Sequence, residues 1–234
     1  MDGTIFVVAA GSRLIVIVAR NTRRCWQKCI YHSRVRRGMF VETIKVLNGC
    51  FYNLEYHEKR ARETAMACFG RRLSWDTASM VVPEEARVGL VKCRVVYDTG
   101  IREVTFQPYV MRKIGSLRLV DGGNIDYRYK ATDRSALTAL LDQRAGCDDI
   151  LIVRDGRITD TSFSNVVFED AGGGLYTPDT CLLKGTRRES LLDAGIIREC
   201  PITVDDIRRF RKVLLVNAMI GLEDGVGVLT GKII

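Results

Sequence analysis

The chain has 234 residues, 47% hydrophobic and 27% charged, enough for a core of enzyme size in one large domain or two small ones. Its net charge of +8 suggests nucleic acid, but residues 1–38 hold eight basic residues against the single acid Asp2, so the body carries only +1. The basic signal therefore belongs to the leader, and nothing in the body asks for a nucleic-acid partner.

The leader's apolar run, "TIFVVAAGSRLIVIVAR", is broken by Ser12 and Arg13. It falls short of the roughly 20 apolar residues that span a bilayer, and it lacks the basic start of a secretory signal. No membrane role is expected, and the protein is expected in the cytoplasm. From Met39 the sequence shows regular strand and helix patterning, so 1–38 is expected outside the fold, as a poorly ordered extension or mis-started upstream sequence. Cys25, Cys29 and His32 have loose metal-ligand spacing but no fourth ligand nearby, and no metal is expected. The eight cysteines read as reduced thiols rather than a disulfide framework.

"FVETIKVLNGCFYN" reads as two strands turning at Asn48-Gly49, with Asn53 capping a helix that runs to about Phe69 and stops at Gly70. A second hairpin turns at Asp98-Thr99-Gly100, and "SLRLVD" is a short strand before Gly122-Gly123. In "NIDYRYKATDRSALTALL", Ile125, Tyr127 and Tyr129 alternate with polar residues, which predicts a strand with one buried face. Thr132 and Asp133 then cap a helix over 135–143. Lys130 thus stands between a strand and a helix, either as a solvated edge lysine or as an amine held in a pocket.

A third hairpin turns at Asp155-Gly156, "GGGLYTP" gives a short strand, and "LLKGTRRESLLDAGI" is a glycine turn into a helix. "TVDDIRRF" is a short capped helix, and "KVLLVNAM" a final buried strand. Hairpins and helices mix in both halves, so the class is α+β (mixed α/β), with small domains over 39–122 and 123–234.

These pieces resemble the fold-type IV enzymes that use pyridoxal 5′-phosphate (PLP), the class IV aminotransferase family. The resemblance runs from Met39 through "FVETIKVLNGCFYNLEYHEKRARETA", "DYRYKATDRSAL", "VRDGRITDTSFSNVVF", "YTPDTCLLKGTRRESLL" and "LLVNAM". It implies two small domains with the active site between them, a homodimer and a small-molecule amino substrate. Lys130 falls at the family's cofactor-bearing lysine. Such a lysine works as a nucleophile when its surroundings lower the amine's pKa. Asp160, five residues before Asn165, falls where the family keeps a glutamate against the pyridine nitrogen, and is one methylene shorter. Arg60 matches the helix arginine of the phosphate site. Gly185, Thr186 and Arg187 match one phosphate loop, and Asn217 with Ala218 the other. The ordinary alternatives are a turn-capping aspartate, a solvated helix arginine and a plain strand end.

Within the family, "VNAM", the arginine four residues after Lys130 and the compact length resemble aminodeoxychorismate lyases, which release 4-aminobenzoate and pyruvate from 4-amino-4-deoxychorismate. Arg128 and Arg134 are the candidates for a substrate carboxylate. The alternative is an amino-acid aminotransferase of the branched-chain or D-amino-acid type, and more remotely a non-catalytic or nucleic-acid-binding protein. Longer family members carry an extra N-terminal strand before the one at "FVETIKV", and "SRLIVIVAR" is the stretch that could imitate it.

Overall fold

The structure is a computed structural model that describes residues 5–10, 13–18, 38–75 and 80–234. It separates into two units, Met1–Arg37 and Gly38–Ile234. In the first, strands β1 (Ile5–Ala10) and β2 (Arg13–Val18) pair antiparallel, with Ile5 opposite Val18 and Ala10 opposite Arg13. Both strands fall in the leader's apolar stretch and form a sheet of their own, not an added strand beside the one at "FVETIKV". Cys25, Cys29 and His32 lie outside the described residues.

The second unit begins with a four-stranded antiparallel sheet in the order β4-β3-β5-β6: β3 (Phe40–Leu47), β4 (Cys50–Phe51), β5 (Leu90–Tyr97) and β6 (Ile101–Pro108). The β3–β4 turn has positive φ at both Asn48 (48°) and Gly49 (81°), the backbone that an Asn-Gly hairpin requires. Helix α1 (Leu54–Phe69) lays His57, Ala61, Thr64, Ala65 and Cys68 on the core, a helical spacing of mostly small side chains that lets it sit close to the sheet. Phe40, Ile44, Val46, Val91, Val95 and Tyr97 meet it from β3 and β5. Gly70 ends α1 in the left-handed conformation, donating its N–H to Met66 O. Asn53 stands at the start of α1 but is itself left-handed and makes no side-chain cap.

The second sheet has eight strands: β7 (Leu117–Asp121), β8 (Asp149–Arg154), β9 (Arg157–Thr161), β10 (Asn165–Asp170), β11 (Leu175–Pro178), β12 (Arg198–Cys200), β13 (Phe210–Val216) and β14 (Gly227–Leu229). Their order is β12-β11-β10-β9-β8-β7, with β13 also on β10 and β14 on β13. Two helices accompany it, α2 (Ser135–Leu141) and α3 (Thr186–Asp193). Since β7 already belongs to this sheet, the change of sheet falls between Pro108 and Leu117, ahead of Gly122-Gly123. "KVLLVNAM" is central in the sheet but is not the last strand, and "TVDDIRRF" forms a 3-10 turn over Asp205–Arg209.

Strands β7 and β8 are parallel, so the chain between them must cross over, and residues 122–148 do so. This crossover carries Lys130 and α2. The strand expected over 125–130 does not form. Tyr127 is buried and Ile125 and Tyr129 half-buried, so the inward alternation is real, but it belongs to a loop that turns at 123–124 and bends at Arg128 and Tyr129. The loop docks on the start of β3 by main-chain bonds. Val41 N donates to Lys130 O at 2.9 Å, and Thr132 N donates to Met39 O at 2.9 Å. Asp133 accepts the N–H of Ser135 at 2.9 Å ahead of α2, but the N-cap of α2 is Arg134, without a side-chain cap, and the Thr132 hydroxyl goes to Met39 O instead.

Candidate active site

The docked loop puts Lys130 against a cavity of about 380 Å³, whose wall combines Thr43 and Arg60 from the first sheet and its helix with residues of the second sheet. Among the predicted site residues, Arg60, Lys130, Arg134, Asp160, Gly185, Thr186, Asn217 and Ala218 all line it. Arg128 and Arg187 do not. Arg128 is exposed and pairs with Asp126 (3.1 Å), because the alternation that buries Tyr127 and Tyr129 turns it outward. Arg187 pairs instead with Glu223 (2.8 Å), in the 3-10 turn after β13.

Burial lowers the Lys130 amine from 10.5 to about 8, with Arg60 and Arg134 pushing the same way and Glu42 and Asp160 opposing. Near neutral pH a useful share is then free base, which an amine needs in order to react. Half-buried and lining the cavity, Lys130 fits the pocket reading better than that of a solvated edge lysine.

Asp160 is buried in β9 and is no turn cap. Its Oδ1 accepts from Asn165 Nδ2 at 2.8 Å, and its Oδ2 accepts from Leu182 N and Leu183 N, each at 3.0 Å. Burial raises the carboxyl to about 6, although these donors and Arg188 work to lower it. Three of the roughly four acceptor positions of a carboxylate are thus filled, and one remains for a donor in the cavity. Asn165, opposite Asp160 in the β9–β10 pairing, also bonds Leu183 O at 2.8 Å and so fixes the loop before α3. Gly185 follows in that loop, where any Cβ would run into Asn165 Oδ1, so only glycine lets the chain pass.

Arg60 reaches the cavity from α1. It grips Glu42 of β3 through Nε (3.0 Å, to Oε1) and Nη2 (to Oε2), and Nη1 donates to Lys184 O at 3.1 Å. Burial would raise the Glu42 carboxyl, but Arg60 and His57 outweigh it and hold it at about 2. The start of α3 is anchored from behind by the fully buried Arg188, which bonds Pro178 O (3.0 Å) and pairs with Glu199.

Two contributors carry no sequence signal. Arg112 lines the cavity with its guanidinium 5.2 Å from the Phe163 ring centre, and Tyr109 stands on the same wall. Arg134 donates to Ser162 O at 2.6 Å, so Arg112 and Arg134 are anchored on adjacent residues. Ser162 is in turn tied by its Oγ to the buried Asp149 at 3.0 Å.

A poised amine, a buried carboxyl with one acceptor position spare, and N–H donors for an anion fit a phosphorylated pyridine aldehyde such as PLP. No group of three or more possible metal ligands occurs among the described residues.

Residues 39–223 match the family model for amino-transferase class IV. An uncharacterised protein of Haemophilus influenzae is 33% identical over 184 residues, covering 77% of this chain and 97% of its own. The crystal structure of a proposed 4-amino-4-deoxychorismate lyase from Haemophilus somnus superposes with a TM-score of 0.72 at 32% identity, covering 79% of this chain and 98% of that one. A T.th. branched-chain amino acid aminotransferase, complexed with N-(5′-phosphopyridoxyl)-L-glutamate, shares the fold (TM-score 0.62, 15% identity, 84% of this chain and 76% of that one). The chain belongs to the amino-transferase class IV family, and is a PLP-dependent enzyme of that family.

Proposed function

We propose that the enzyme is a 4-amino-4-deoxychorismate lyase, releasing 4-aminobenzoate and pyruvate. The observation that carries this is the second cationic group of the cavity, Arg112 and Arg134, both lining it and both anchored on Ser162-Phe163. The proposed substrate carries two carboxylates, and two planar guanidinium groups suit them. The 32% identity with the proposed lyase of Haemophilus somnus agrees with this reading.

When bound, PLP supplies an electron sink at the carbon bearing the substrate's amine. The chain's own part is to hold and move protons around it. Lys130 would hold the cofactor, and its amine would take the proton from that carbon and give one to the departing enolpyruvate as the ring becomes aromatic. Asp160, with an acceptor position spare, would accept the N–H of the ring nitrogen and so keep that nitrogen protonated. Arg60, Gly185, Thr186, Asn217 and Ala218, which line one cavity, would hold the phosphate. The walls of Tyr109, Phe163 and Leu137 exclude water from the aromatic end.

We place the enzyme in the cytoplasm as a homodimer acting on small molecules, in keeping with the family resemblance. Among the described residues no helix is long and apolar enough to cross a membrane. The test is direct. The full chain, supplied with 4-amino-4-deoxychorismate, should yield 4-aminobenzoate and pyruvate in equal amounts, and borohydride should fix PLP to Lys130 alone. Transfer of an amino group from branched-chain or D-amino acids to a 2-oxo acid, without aromatic product, would support the aminotransferase alternative instead.

A further inference from the structure

Glu42 and His57 are fully buried and lie outside the cavity wall, yet each is bonded to a group that forms it. Glu42 Oε2 accepts from Arg60 Nη2 and stands 2.6 Å from His57 Nδ1. On its far side, His57 Nε2 lies 3.2 Å from Thr186 Oγ1. Strand β3, helix α1 and, more than a hundred residues on, the first turn of α3 are thus laced into one chain of bonds: Arg60, Glu42, His57, Thr186.

The protons on this chain can be placed. Burial lowers the His57 pKa, although Glu42 works to raise it, so the ring is neutral near pH 7. A neutral ring beside a carboxylate donates from Nδ1, which leaves Nε2 as an acceptor for the Thr186 hydroxyl. The Thr186 hydroxyl proton is therefore committed to His57, and the residue offers an anion in the cavity its main-chain N–H, one of those left unpaired in a first helical turn. On the other arm, Glu42 and Lys184 O take three of the five guanidinium N–H groups of Arg60, leaving two for an anion. The charge of Arg60 is meanwhile balanced by Glu42. Whatever anion binds here is then held by aimed N–H groups more than by net charge.

We infer that Glu42 and His57 are positioning residues for the phosphate of the cofactor, fixing the Arg60 guanidinium and the Thr186 end of α3 at the separation that group requires. Neither touches the cofactor; both act through residues that do. The inference rests on the reading of this cavity end as the phosphate site.

The experiment titrates the full-length chain, stripped of cofactor, with PLP and separately with pyridoxal, which lacks the phosphate. Wild type should prefer PLP. Glu42→Gln places an amide where two donors expect an acceptor, so the preference should fall about tenfold or more, the worth of one charge-assisted hydrogen bond. Pyridoxal affinity should be unchanged. His57→Gln keeps a donor for Glu42 and loosens Thr186, and should lower the preference about threefold, below the Glu42 effect. It supplies the answer if Glu42→Gln does not fold. A variant that keeps the wild-type preference, or that weakens PLP and pyridoxal alike, overturns the inference. A wild-type chain without any preference for PLP overturns the phosphate-site reading as well.

Discussion

Lys130 is costly to keep charged where it stands, and the cost can be measured without any substrate. Its pKa falls from 10.5 to about 8, chiefly by burial and then by Arg60. At pH 7 this raises the free-base fraction from about one in three thousand to about one in ten. The same shift is a stability term. A displacement of about 2.5 pKa units corresponds to about 3 kcal/mol, to be discounted because the side chain is half-buried and partly screened, so about 1–2 kcal/mol is expected. The sign follows from proton counts. Below about 8 both folded and unfolded chains hold the proton, and the penalty is full. Between about 8 and 10.5 the unfolded chain binds the proton and the folded one does not, so stability rises with pH until the penalty is gone. Lys130→Met, similar in length and uncharged, should therefore be more stable than wild type at pH 7, both stripped of PLP, by about 1–2 kcal/mol. By pH 9.5 most of that advantage should have vanished. Urea unfolding of the two chains at both pH values gives the comparison directly. A gap that does not change with pH, or a methionine variant that is the weaker at pH 7, would refute the argument that Lys130 is a desolvated amine.

Asp160→Asn should still bind PLP but turn over about a hundredfold more slowly or worse, because the ring nitrogen loses its acid partner. With the carboxyl at about 6, the wild-type kcat/KM should fall toward acid with an apparent pKa near 6, and the variant should lose that limb. Arg112→Gln should raise KM for an anionic substrate about tenfold while leaving PLP absorbance untouched, and Arg134→Gln should do so too with some loss of kcat, since it also frees Ser162. Unchanged KM in both would remove the two-carboxylate reading. Deletion of residues 1–38 should leave PLP binding and turnover intact, as checked by absorbance and activity of the shortened chain; a truncated protein that precipitates or loses PLP would show that the leader is needed.

What is legible in the sequence divides along a physical line. Turns and stops written in backbone chemistry are readable: Asn48-Gly49, Asp155-Gly156 and Gly70 each take the positive φ that their residue types favour. The 125–130 segment misleads because alternation reports only which side chains turn inward, and a loop laid along a sheet edge alternates as a strand does. Its ladder is the short contact with Met39 and Val41, and nothing local in "NIDYRYK" encodes a partner more than eighty residues upstream.

The site shows the same division in sharper form. The residues proposed to meet the cofactor sit in local patterns, a lysine ahead of a helix or a glycine before a helix start, and eight of the ten candidates reach the cavity. The two that do not, Arg128 and Arg187, fail for geometric reasons invisible in composition: one is on the outward phase of an alternation, and the other has an acidic partner brought to it from beyond β13. Glu42 and His57 escape a sequence reading for the opposite reason. A glutamate in a strand and a histidine in a polar-looking helix read as solvent-facing, and only the crossing of α1 over β3 makes both of them fully buried. Once buried they had to be paired, since an unmatched charge in that core would cost several kcal/mol. The pairing available joins the two arms of the anion site. Contacts to a small molecule can be guessed from local pattern because the molecule recruits loop ends; the bonds that aim those contacts depend on which elements the fold packs together.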